Sequence, residues 1–156
     1  NEMKNHPKFK DYVFFDEVVR TLKKEKGIQV NKNADYASQI LILEKHLENL
    51  EMEKFVTDRC LLDAYTYATY LMYRGLYSEK EWLDFRKLFM QGIYWYDRIY
   101  LLDSNIPFQG DGFRDTDEVF REDISKLFLN ILKDFQIDFV FLEGSLQERL
   151  NTVVNL

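Results

Sequence analysis

Thr57-Asp58-Arg59-Cys60 sets two opposite charges directly behind a short apolar run and directly ahead of a helical pattern. A carboxylate so placed can orient Mg²⁺ or its waters, and the neighbouring guanidinium can neutralise charge developing on a transferring phosphoryl group. The same pair can also be an internal ion pair that closes a strand. Asp16-Glu17 holds the corresponding place behind an earlier apolar run, and Glu17-Val-Val-Arg20 puts a carboxylate and a guanidinium one helical turn apart. There a carboxylate can take the proton of a substrate hydroxyl, or it can suit the positive end of a helix. Gln109-Gly110-Asp111-Gly112-Phe113-Arg114-Asp115 places one cation among acids in a glycine-rich loop. Arg114 could swing from it onto phosphate oxygens as a lid closes, though a solvated surface loop is the plainer reading. Arg121, about two turns into the next helix, is a second candidate cation.

Other residues of these types carry weaker signals. Asp63 is followed by Tyr65, Tyr67 and Tyr70, whose spacings do not share one helical face, so part of this set belongs to the core. His6 and His46 each stand without a second ligand at helical spacing and read as structural. Cys60 has no nearby His and no nucleophile elbow, which makes thiol catalysis a remote alternative.

The elements that position these groups alternate in type. Tyr12-Val13-Phe14-Phe15 and Lys54-Phe55-Val56-Thr57-Asp58 read as short buried strands, as do Tyr96 to Leu102 and Phe139-Val140-Phe141-Leu142. Helices are expected from Asp16 to about Lys26 with Gly27 as the stop, from about Asp35 to Met52, and from Leu61 to Tyr73, closed by Gly75. Ser78 with Glu81 opens another that runs to about Gln91, Thr116 or Asp117 begins a long one through Phe135, and Ser145 caps the last. Glu2, Met3 and Lys4 read as the last turn of a helix whose beginning is missing. Strands alternating with helices, each strand ending in polar residues, predict a parallel α/β sheet covered on both faces, in three layers. Ligands bind beyond the carboxyl ends of such strands, which selects Asp16, Glu17, Asp58, Arg59, Asp103 and Glu143-Gly144-Ser145.

Composition narrows the function classes. The 156 residues suffice for one domain with one core, and a net charge of -6 provides no global field for nucleic acid or anionic lipid. One cysteine excludes an internal disulfide, and no apolar run reaches the roughly 20 residues of a membrane span, so a cytoplasmic protein is expected. No Gly-Lys dipeptide occurs anywhere, so GxxxxGK[ST] is absent, and no GxGxxG occurs either, leaving no self-contained phosphate loop in these residues.

Five motifs in register carry a family resemblance. They are Glu17-Val-Val-Arg20 after a strand, Ala34-Asp35-Tyr36-Ala37-Ser38-Gln39 opening a helix that contains His46, and Thr57-Asp58-Arg59-Cys60-Leu61-Leu62-Asp63 before an aromatic helix. Tyr96-Asp97-Arg98-Ile99-Tyr100-Leu101-Leu102 leads into Asp111-Gly112-Phe113-Arg114, and Val140-Phe141-Leu142-Glu143-Gly144-Ser145-Leu146-Gln147-Glu148-Arg149-Leu150 ends the series. In this the chain resembles the P-loop nucleoside-kinase-like proteins similar to the ribosylnicotinamide kinase domain, small AAA-type ATP-binding proteins.

The resemblance implies ATP-dependent phosphoryl transfer to a nucleoside, a nucleotide or a nicotinamide riboside-like acceptor, with ATP and Mg²⁺ as cofactors. It implies Asp16 or Glu17 as base at the substrate end, Asp58 on Mg²⁺, Arg59 on the phosphates and Arg114 as the lid arginine. Arg121 and the Glu143, Gly144 and Ser145 loop would serve ATP, while Arg20, Gln39, Asp63 and Tyr67 would line the acceptor pocket. Cys60 stands where the family often has Ser or Thr. The family's central P-loop strand has no counterpart here, so a single P-loop kinase-like domain over residues 1–156, lacking about 20 N-terminal residues, is expected. An ATP-binding regulatory or interaction protein is the alternative, and a scaffold that has lost the loop is a third. No nucleic-acid or membrane partner is expected, and oligomerisation is left open.

Overall fold

The structure, a computed structural model, describes residues 2–102 and 117–156. Among them are four short strands, β1 (Val13–Phe15), β2 (Phe55–Thr57), β3 (Tyr100–Leu102) and β4 (Val140–Leu142). Six α-helices accompany them: α1 (Val18–Lys26), α2 (Tyr36–Asn49), α3 (Leu61–Tyr73), α4 (Glu79–Gly92), α5 (Glu118–Asp134) and α6 (Leu146–Asn155). The arrangement is mixed α/β with parallel strands.

Local chemistry sets most helix ends. Asp35, Ser78, Asp117 and Ser145 each accept a backbone N–H of the first turn, with Glu81 and Glu148 closing capping boxes on Ser78 and Ser145. α3 ends in a Schellman turn: Gly75 at φ 74° lets its N–H reach Met72 O while the Leu76 N–H reaches Leu71 O. The N-terminal residues differ from expectation. Met3–Asn5 is a single 3-10 turn, because His6 is extended ahead of Pro7, whose ring disfavours helical backbone in the preceding residue. The third strand is also shorter than expected. Asp97 and Arg98 are both exposed, which breaks the alternation, and pairing begins only at Tyr100. Thr116 lies outside the described residues, and Asp117 caps α5.

β1 pairs with β2 in parallel, Phe14 opposite Val56, and β3 pairs with β4, Leu101 opposite Phe141. The expected parallel sheet lacks its central strand; the described strands form two separate two-stranded parallel sheets. Both contribute to one small cluster, in which Phe14, Val56, Tyr100, Val140 and Leu142 meet Phe9 of the N-terminal turns and Val153 of α6. The larger core lies among α1 to α5, where Leu43, Leu61, Leu71, Phe85, Phe89 and Leu132 are almost wholly buried. Tyr65 stacks on Phe89 at 4.3 Å there, so it is the core member of the tyrosine series. Gly92 allows the close approach of α4: a Cβ would meet side chains of Leu50, Leu47 and Leu61 at 2.5 to 2.7 Å.

Candidate functional site

Two strand ends converge on one carboxylate. β1 delivers Glu17 to the N-cap of α1, but the side chain does not cap that helix. It turns inward, 7% exposed, and binds two guanidiniums: Arg20 Nε donates to Oε2 at 2.6 Å and Arg59 Nε to Oε1 at 2.9 Å. The neighbouring Asp16 points the other way, 88% exposed, toward Lys4 at 3.4 Å. The structure therefore separates the Asp16 and Glu17 pair, with Glu17 alone facing inward.

Arg59 reaches Glu17 through an unusual backbone. It sits at φ 69°, a left-handed conformation that costs a non-glycine residue about 1–3 kcal/mol, and the Thr57 hydroxyl holds the turn by donating to Arg59 O at 2.8 Å. That turn carries the chain from β2 into α3 and points the guanidinium back across the strand end. Burial works against the Arg59 charge, but Asp63, Tyr67 and Glu17 more than offset it and hold the group above its ordinary pKa. The Tyr67 hydroxyl is pushed up by burial against the opposing pull of Arg59. Burial raises Asp63 despite Arg59, and its carboxylate closes the capping box of α3 by accepting the Cys60 N–H at 2.9 Å. Arg59 thus faces both Glu17 and Asp63, with Arg20 on the second oxygen of Glu17.

These groups wall a cavity of about 30 Å³, lined by Glu17, Gln39, His46, Arg59, Asp63 and Tyr67 with Val19, Val30, Asn31, Ile42 and Ala64. That is room for a water or two. Gln39 is fixed by its amide, which donates to Ala64 O at 2.5 Å. Tyr67 and Tyr70 both set their rings against Phe120 of α5, at 5.9 and 5.0 Å. His46 is 1% exposed, and burial, helped by Arg59, lowers its pKa to about 4, so it is a neutral imidazole. His46, read from the sequence as structural, also lines the cavity. Gln39, Ile42 and His46 recur at three and four residues along α2, a stripe that the sequence displays and that ends on the cavity.

Other candidates lie elsewhere. Asp58 is exposed at the end of β2, where its N–H bonds Phe15 O. The Ser145 hydroxyl caps α6, Gly144 lies at φ 80° against Glu148, and neither they nor Glu143 line the cavity. Arg121 is on α5, also outside the cavity wall, and Asp103 and Arg114 lie outside the described residues. Cys60 is buried, and burial, then Asp63, raises its thiol, which removes thiolate chemistry at the operating pH of most proteins.

A family model described as AAA domain matches residues 1–149. The chain belongs to this AAA domain family. Its coarse function is therefore nucleotide binding of the ATPase type. No curated protein and no solved structure matches the chain. Among the described residues of this AAA domain, no group of three or more His, Cys, Asp or Glu could hold a metal unaided, and no helix is long and apolar enough to cross a membrane. Mg²⁺ commonly takes one or two carboxylates beside phosphates and waters, and exposed Asp58 is a donor of that kind. For the triphosphate, the 156 residues contain no glycine-rich loop leading to a Gly-Lys pair, so no cradle is assigned to them.

Proposed function

We propose that this AAA domain is an ATP-dependent phosphotransferase whose acceptor is a nucleoside, a nucleotide or a nicotinamide riboside-like molecule. The observation that carries the reading is the buried Glu17 carboxylate, clamped by Arg20 and Arg59 at the ends of two parallel strands and facing a cavity. A carboxylate has about four lone-pair positions, and the two ion pairs use one on each oxygen. The remainder can accept the hydrogen of an acceptor hydroxyl and hold that oxygen in line for attack. Phosphoryl transfer asks mainly for positioning and charge neutralisation, which is what a fixed carboxylate between fixed guanidiniums provides.

Arg59 orients Glu17 and carries positive charge to the strand end, and Arg20 fixes the second oxygen. Gln39, Asp63 and Tyr67 border the acceptor. Asp58 is the donor assigned to Mg²⁺, with Arg121 on the nucleotide side. ATP would supply the phosphoryl group and Mg²⁺ would offset its charge. In this reading the phosphate cradle belongs to a further strand and loop that joins the two short sheets between β2 and β3, completing one three-layer fold. The split of the strands into two pairs supports it.

Mg-ATP calorimetry on the natural full-length protein, followed by a screen of nucleosides and nucleotides for ATP-dependent phosphorylation, tests the proposal. Saturable Mg-ATP binding with phosphorylation of one acceptor class is expected, and Mg-ATP binding with no acceptor phosphorylated contradicts it. A second reading, an ATP-binding regulatory or interaction protein, is favoured by the size of the cavity, which at about 30 Å³ is far smaller than a small-molecule site of roughly 300 Å³ or more. The same contradicting outcome supports that reading.

A further inference from the structure

Among the described residues, His46 Nδ1 is the one buried side-chain nitrogen or oxygen without a hydrogen-bond partner. Buried polar side chains are paired as a rule, and each exception calls for a reason, since an unmet donor or acceptor costs about 1–3 kcal/mol. Here the atom belongs to an imidazole that is 1% exposed and lines the cavity containing the Glu17 carboxylate. A histidine kept only for packing would be expected to face an apolar wall or a backbone carbonyl. His46 instead stands on the stripe of α2 that also brings Gln39 and Ile42 to the cavity.

We propose that His46 is a specificity-determining residue of the acceptor cavity, whose Nδ1 hydrogen-bonds a sugar hydroxyl of a bound nucleoside. This rests on the acceptor site described under the proposed function. Neutral imidazole offers one N–H and one lone pair, and a hydroxyl can donate or accept, so it satisfies Nδ1 in either tautomer. Opening the cavity to admit the sugar would replace the water or two it can hold with a ligand that completes the one unmet bond.

The 156 residues hold two histidines, and in the ¹⁵N-histidine-labelled natural full-length protein the signature of His46 is assigned by its loss in His46→Leu. His6 Nδ1 already accepts the Lys8 N–H at 3.2 Å and serves as the internal reference. Adenosine, guanosine, cytidine, uridine and nicotinamide riboside are titrated in, each ribonucleoside alongside its 2′-deoxy and 3′-deoxy forms. The expected result is that at least one ribonucleoside shifts His46 Nδ1 with His6 unmoved. The deoxy form lacking the contacting hydroxyl binds about tenfold more weakly, as one neutral hydrogen bond dictates. That discrimination disappears in His46→Leu and returns in His46→Asn.

A nucleoside that binds without moving Nδ1, or that His46→Leu discriminates as the wild type does, overturns the inference. So does the absence of any Nδ1 response across the panel, which would leave an ordered water as the occupant. A hydroxyl-dependent Nδ1 shift without phosphorylation of any probe sustains the inference while defeating the phosphotransferase reading.

Discussion

The carboxyl ends of β1 and β2 and the carboxyl end of β4 present similar residues and use them in opposite ways. At the first pair of ends, Glu17 and Arg59 meet at a cavity lined also by Asp63, Tyr67 and His46. At the end of β4, Ser145 and Glu148 turn back on their own helix, each satisfying a backbone N–H of α6. The difference teaches that a polar strand end is a necessary but not a sufficient sign of a site. What separates the two is that the β4 groups are consumed locally, as caps, whereas Glu17 is also held against space by Arg59 from another element.

Substitutions can break or sharpen that contrast. The largest effect is expected from Arg59→Ala, which leaves the Glu17 and Asp63 carboxylates buried without the cation between them. Loss of one partner of such a cluster costs about 3–5 kcal/mol, to be read from urea unfolding. A loss below about 1 kcal/mol, the surface ion-pair range, would show that the strand end is as solvated as that of β4. Next comes acid. His46 titrates at about 4 in the fold against 6.5 in the unfolded chain, so between those values the unfolded state binds more protons. Stability from this residue is complete above pH 6.5 and falls as pH drops toward 4, by about 3 kcal/mol in all. Unfolding of wild type and His46→Gln at pH 7 and pH 4 should differ in acid sensitivity by that order, the common carboxylate titrations cancelling. Equal sensitivity would place His46 in contact with water.

The smallest effect belongs to the other region. Ser145→Ala removes a helix cap and should lower stability by about 1 kcal/mol, with acceptor-dependent turnover unchanged. A large loss of turnover at unaltered stability would instead make the β4 end part of the nucleotide site and erase the distinction drawn here.

Much of this architecture is legible in the sequence because it is set locally. The Ser78 and Ser145 capping boxes, the Asp117 cap and the glycine stops after α1 and α3 are written in a few consecutive residues. The strand-end rule also names Glu17 and Arg59 together with Asp16 and Asp58. It cannot choose among them, because neighbouring residues at a strand end face opposite ways and only the packing of α1 against α2 and α3 decides which is buried. Tyr96 to Leu102 misleads for a related reason. Tyr96 is held by its ring against Phe55 and by its hydroxyl accepting the Leu61 N–H, contacts about 35 to 41 residues away in sequence, and not by strand pairing. His46 is invisible as a single residue, since its isolation along the chain says nothing of the partners that α3 and β2 bring to it.

Acceptor-dependent ATP turnover by Glu17→Gln in the natural full-length protein tests the central claim most directly. Amide replaces carboxylate at nearly constant shape, so the fold and Mg-ATP binding should persist while kcat/KM for the acceptor falls about 100-fold or more. Turnover within about threefold of wild type, with the fold intact, would contradict the account and return Glu17 to the role of an internal ion-pair partner.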